Sequence, residues 1–151
     1  MRAAKRRTPV VLGVICAVLG LMVLGTIAAS RARARAEKIQ CANILSSLGL
    51  AARCYAQDYE GTFAPNLQCM SNEISTTKIL ICPSDRSRVP AMNFTLLNST
   101  NVSYVYLAAS LQSTNATTNA LFRCPIHGHV VYSDGRIVLG DGTVQYGKRM
   151  F

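Results

Sequence analysis

Proline is missing between Pro9 and Pro65, and residues 10–29 of that interval also lack charge, asparagine and glutamine. Without a helix breaker the chain can stay helical across the interval, and without charge its first part can enter hydrocarbon. The run VVLGVICAVLGLMVLGTIAA, at about 1.5 Å of helical rise per residue, covers the roughly 30 Å core of a bilayer. A membrane-spanning helix is predicted over 10–29. Thr8 and Pro9 supply its start, because Thr accepts from free amides and proline at the first helical position loses no intrahelical bond. No small-x-small cleavage site follows the run, and Gly13-Val14-Ile15 makes a poor lipobox before Cys16, so the run reads as a retained anchor. Gly13, Ala17 and Gly20 fall near one face, a small-residue stripe along which helices of two copies could approach closely. Cys16 is read as apolar filler.

Acid is scarce in the same region. Residues 1–38 hold eight Lys/Arg and one acid, Glu37, for +7, while residues 39–151 hold eight Lys/Arg and six acids, for +2. The basic excess therefore belongs to the membrane flanks: residues 1–9 on one side, and Arg31, Arg33, Arg35 and Lys38 on the other. A nucleic-acid surface needs basic side chains clustered on the folded part, and none is clustered there. With both flanks basic, the positive-inside count is nearly a tie. There is also no internal repeat of solenoid length.

Past the anchor, residues 30–60 are rich in Ala, Leu, Arg and Gln, and Cys41, Leu45, Leu48, Ala52, Tyr55 and Tyr59 recur at three- and four-residue steps. This is one apolar stripe on a soluble continuation of the same helix. Gly61 and Pro65 end it. About 90 residues remain, 61–151, enough for one small head. Residues 78–82 and 102–107 read as strands, and 111–119 as an exposed Ser/Thr/Asn loop. Residues 128–133, 136–139 and 143–146 read as strands joined by Asp134-Gly135 and Asp141-Gly142, the strongest short hairpin signal. The expected fold class is α+β, a long N-terminal helix packed through residues 39–59 on a small antiparallel sheet.

The head carries Cys41, Cys54, Cys69, Cys82 and Cys124, and a small domain so rich in cysteine suits an oxidising compartment, which places it outside the cytoplasm. Cys82 and Cys124 are each followed by proline at the edge of a predicted strand. A disulfide between them would close a loop of about forty residues and stabilise by roughly 3–4 kcal/mol; Cys41, Cys54 and Cys69 would then be free or partly paired. The second reading starts from Cys124-Pro125-Ile126-His127, a Cys-x-x-His which with Cys82 and another ligand would make a four-coordinate zinc site. His129 is offset from that pattern by one, there is no second Cys-x-x-Cys, and an oxidising location favours a disulfide over thiolates, so no metal and no cofactor are assigned. Unpaired buried thiols are the third reading. A cysteine nucleophile with His127 as base would need an orienting group and an oxyanion site, and nothing in the sequence supplies them. No catalytic residue and no enzyme activity are assigned. Asp134 and Asp141 sit in turns, where Asp is expected for its local hydrogen bonds.

A family resemblance rests on several of these segments. CANILSSLGLA (41–51) followed by YAQDYEGTFAP (55–65) resembles a stretch of type IV pilin-like proteins, specifically the type II secretion pseudopilins of the Verrucomicrobia and Planctomycetes group. LICPSD (80–85), NVSY (101–104), CPIHG (124–128) and LGDGTV (139–144) resemble later motifs of that group in the same order. The resemblance covers about residues 31–146 and implies a pilin-like fold with an exposed head. It further implies a structural subunit of a type II secretion or type IV pilus-like apparatus, anchored in the inner membrane with its head in the periplasm or outside the cell. Its partners would be other pilin-like subunits, including copies of itself through the N-terminal helix. Calcium in a C-terminal loop is a further implication, with Asp85, Asp134 or Asp141 as oxygen ligands, although one or two carboxylates are too few to define a site. One departure stands out. Pilin-like precursors carry Gly-Phe-Thr-Leu-x-Glu ahead of the apolar run, whereas RTPVVLG (7–13) has neither that glycine nor an acid in the membrane. The alternative reading is accordingly a non-assembling anchored module, adhesive or sensory, that binds through the loop at 111–119.

Overall fold

The computed structural model of the protein describes residues 7–109, 111 and 119–146. Among the described residues there is one α-helix, α1, over Arg7–Asp58. The chain divides between Ala36 and Glu37 into two compact units.

In the first unit the apolar side chains Val18, Leu19, Leu21, Met22, Val23, Leu24 and Ile27 are all exposed. The hydroxyls among them are satisfied within the helix: Thr26 Oγ1 donates to the Val23 carbonyl at 2.8 Å and Ser30 Oγ to the Ile27 carbonyl at 2.9 Å. Such internal pairing is what a polar side chain needs in a medium without water. This helix, near the N-terminus, is long and apolar enough to cross a membrane.

In the second unit the remainder of α1 buries Cys41, Leu45, Leu48 and Ala52 completely and Tyr55 almost so, with Ala51 and Ala56 beside them. Tyr59 departs from the stripe expected of it. It lies one residue past the end of α1, is 53% exposed, and stacks on Tyr55 with ring centroids 4.1 Å apart. Its amide still donates to the Tyr55 carbonyl at 3.0 Å, and the chain turns away directly after it, the Gly61 amide donating to the Ala56 carbonyl at 2.7 Å.

Among the described residues the sheet has five strands, β1 (Val105–Tyr106), β2 (Ala120–Arg123), β3 (Val130–Tyr132), β4 (Arg136–Val138) and β5 (Val144–Tyr146), in the order β1-β2-β3-β4-β5. Every neighbouring pair is antiparallel, so the sheet is a meander. The molecule thus has the α+β arrangement of one long helix and an antiparallel sheet. Asp134-Gly135 and Asp141-Gly142 make the two C-terminal turns. In each, the Asp carboxylate accepts the amide two residues on (from Arg136 at 2.9 Å, from Thr143 at 3.0 Å), and the glycine takes a φ of +85° that a side chain would strain.

Two strand assignments change. Residues 78–82 do not form a strand; Thr77–Leu80 is a 3-10 turn, with Thr76 Oγ1 accepting the Lys78 amide. Residues of this turn make tertiary bonds instead: Thr77 Oγ1 donates to the Ala91 carbonyl at 2.6 Å, and the Leu80 carbonyl accepts the Ser103 amide at 2.8 Å. Conversely, Ala120-Leu121-Phe122-Arg123 is strand β2, although it has no β-branched residue. It is held between β1 and β3, with Leu121 and Phe122 fully buried. The core joins the α1 stripe to Phe63, Met70, Ile74, Leu80, Tyr104, Leu121, Phe122, Val131 and Ile137. Of the loop expected at 111–119, residues 112–118 lie outside the described residues.

Candidate metal centre

Two tight turns, each opened by Cys-Pro, approach the first buried turn of the helix. In Cys82-Pro83-Ser84-Asp85 the Asp85 amide donates to the Cys82 carbonyl at 2.8 Å; in Cys124-Pro125-Ile126-His127-Gly128 the Gly128 amide donates to the Cys124 carbonyl at 2.9 Å. Proline after each cysteine presets the backbone angle of a turn. Within these turns the Ser84 amide faces the Cys82 sulfur, and the His127 and Ile126 amides face the Cys124 sulfur. Cys41 comes from α1. The Sγ atoms of Cys41, Cys82 and Cys124 and one ring nitrogen of His127 all lie within 4.8 Å of one another. Cys82 Sγ stands 3.4 Å from His127 Nδ1, Cys124 Sγ 3.9 Å from the same nitrogen, and the Cys82 and Cys124 sulfurs are 3.8 Å apart. All three cysteines are fully buried.

The surroundings divide the thiols. Hydrogen bonding from Cys41, aided by the His127 and Ile126 amides, pulls the Cys124 thiol below its ordinary value. Cys41, which gives that bond, is pushed up, and burial raises Cys82. Tyr104 Oη donates to Cys41 Sγ at 3.6 Å, and burial raises the tyrosine as well. On the other side of the imidazole, His127 Nε2 lies 3.2 Å from Ser84 Oγ, whose proton goes to Glu37 Oε2 at 2.8 Å. Glu37 is also paired with Arg86.

His129 is no member of the group. Its ring stacks beside that of His127 at 5.4 Å between centroids, but its Nδ1 accepts the Gly140 amide at 2.9 Å. Burial holds its pKa below the ordinary histidine value. The disulfide expected between Cys82 and Cys124 is not formed: both are free thiols, at a separation well beyond the roughly 2.05 Å of an S–S bond. Cys54 and Cys69 are exposed and outside the cluster.

The carboxylates considered for calcium are not brought together. Asp134 caps its own turn and pairs with Arg136 at 3.5 Å, and Asp141 is engaged with Thr143. Asp85 is held well below the usual carboxylate range by the Ser87 and Ser103 hydroxyls and Arg88. Among the described residues, no group of three or more potential metal ligands includes any of the three.

The sequence singles out Cys82, Cys124 and His127, first as a disulfide pair with a neighbouring histidine and only second as ligands; it places Cys41 on the core stripe and gives Ser84 and Glu37 no part. The signal for the first pair was the repeated Cys-Pro turn; nothing local marks Cys41, because a buried cysteine and a ligating one occupy the same helical position. No protein-family model, curated protein or solved structure matches the chain.

Proposed function

We propose that the chain is a membrane-anchored, pilin-like structural subunit of a type II secretion or type IV pilus-like apparatus, with its head in the periplasm or outside the cell. The observation that carries the reading is the division of labour along α1. The same helix exposes an apolar surface from Val18 to Ile27 and, from Cys41 to Tyr55, buries a stripe in the core it shares with the antiparallel sheet. Exposed Leu, Val and Ile on this scale need lipid or a neighbouring helix to cover them. A helix that anchors and also organises a head suits a subunit whose role is assembly, and the reading assigns the head no catalysis.

Photo-crosslinking from Leu21 in native membranes is expected to capture other subunits, and protease added to spheroplasts is expected to remove the head. Crosslinks to lipid alone, or a head protected until detergent is added, would overturn the reading. The second reading, a non-assembling anchored module, is favoured by the absence of the processing glycine and the acid in residues 7–13. The mature N-terminus separates the two: a trimmed and N-methylated end belongs to an assembling subunit, an untrimmed one to the module.

A further inference from the structure

We propose that Cys41, Cys82, Cys124 and His127 bind one zinc ion in a closed, four-coordinate site that fastens α1 to both Cys-Pro turns. The inference is independent of the pilin-like reading. Zinc takes Cys sulfur at about 2.3 Å and His nitrogen at about 2.0–2.1 Å in a tetrahedron, which sets sulfurs about 3.8 Å apart and sulfur and nitrogen about 3.5 Å apart. The separations here are 3.8 Å for Cys82–Cys124, 3.4 Å for Cys82–His127 and 3.9 Å for Cys124–His127, with every donor pair inside 4.8 Å. Four protein donors complete the tetrahedron and leave no open position, so the role is structural.

The histidine supplies a second, independent argument. Ser84 Oγ has one proton and gives it to Glu37 Oε2, so toward His127 Nε2 it can only accept. That places the imidazole proton on Nε2 and turns the Nδ1 lone pair toward the sulfurs. A carboxylate that fixes the ring of a ligating histidine is the usual outer support of a zinc site, here relayed through a hydroxyl. Packing of plain thiols would require neither this tautomer nor backbone amides aimed at Cys82 and Cys124. A disulfide would use two of the four donors and leave His127 and Cys41 unexplained.

The donor set selects the ion. Three thiolates and an imidazole in tetrahedral array suit zinc and not calcium or magnesium, which take oxygen. Each thiol that binds gives its proton to solvent, and no electron is transferred.

The test uses the full chain, purified in detergent under reducing conditions without chelator, with zinc and iron counted by plasma mass spectrometry. About one zinc per chain is expected. The count should fall at least several-fold in Cys41→Ser and in His127→Ala and stay unchanged in Cys54→Ser and Cys69→Ser. Since a ligand variant could fail to fold, wild-type protein is also stripped with a chelator and refilled with cobalt(II). Intense visible bands together with thiolate-to-cobalt charge transfer are the expected signature of tetrahedral sulfur ligation. The proposal is overturned by metal-free protein, by iron in place of zinc, or by zinc retained in both ligand variants. A weak octahedral cobalt spectrum would overturn it as well, and so would a Cys82–Cys124 disulfide in non-reducing peptide maps.

Discussion

Gly49 of α1 lies against Val131 of β3 so closely that a β-carbon at position 49 would stand 2.7 Å from Val131 Cγ2. Val131 is buried and its β-branched side chain has little rotameric freedom to retreat. The helix approaches the sheet as it does because residue 49 has no side chain. In Gly49→Ala, overpacking of about 1–3 kcal/mol competes with a helix-propensity gain of about 1 kcal/mol, and the clash is expected to win. Denaturant melts should show net destabilisation of about 1–2 kcal/mol, relieved when Val131→Ala is added. A Gly49→Ala protein more stable than wild type would contradict the contact.

Leu45 and Leu48 are fully buried in the core shared by helix and sheet. Leu45→Asp or Leu48→Asp places an unpaired carboxylate there at a cost of several kcal/mol, and loss of the cooperative thermal transition of the head is expected. Two variants that still melt like wild type would mean the stripe is not core.

Ser84 is expected to matter through His127 and not through packing. Ser84→Ala removes the hydroxyl between His127 Nε2 and Glu37, and loss of such a support typically weakens metal affinity about 10- to 100-fold. Competition with a chromophoric zinc chelator reads this directly. Ser87→Ala, which removes a hydroxyl that bonds Asp85, serves as the comparison, and equal affinities in the two variants would remove the relay from the site.

Asp85 ties its own turn to the segment before β1: Oδ2 accepts from Arg88 Nη1 at 2.6 Å and from Ser103 Oγ at 2.7 Å, while Oδ1 accepts from Ser87. Its side chain is 4% exposed. Asp85→Ala leaves the buried Ser103 hydroxyl without this acceptor and is expected to cost about 2–3 kcal/mol. Asp134→Ala breaks a partly exposed pair with Arg136 and one turn bond to the Arg136 amide, and should cost only about 1 kcal/mol. Chemical denaturation of both variants checks the contrast, and a reversed order would refute it.

The features legible in the sequence by itself are those written into short stretches of it. An uncharged run without proline reads as an anchor wherever it stands, a three-and-four spacing from Cys41 to Tyr55 reads as a buried helical stripe, and Asp-Gly between apolar runs reads as a hairpin. Each is determined by backbone geometry over a few residues. What lay beyond such reading was decided by tertiary structure. Residues 78–82 have the composition of a strand, yet the segment is fixed by a bond from the preceding Thr77 hydroxyl to Ala91 and one from the Ser103 amide to Leu80 instead of by a strand ladder. Strand β2 lacks the composition and is held by the strands on either side. The cluster is the clearest case. Cys41, Cys82, Cys124 and His127 come from three separate segments, and only the packing of helix against turns, with Gly49 admitting Val131, brings their donor atoms within 4.8 Å. A cysteine on an apolar stripe carries the same local signal whether it fills a core or faces two other thiols, because what distinguishes the two is the position of atoms about forty and about eighty residues away in the chain.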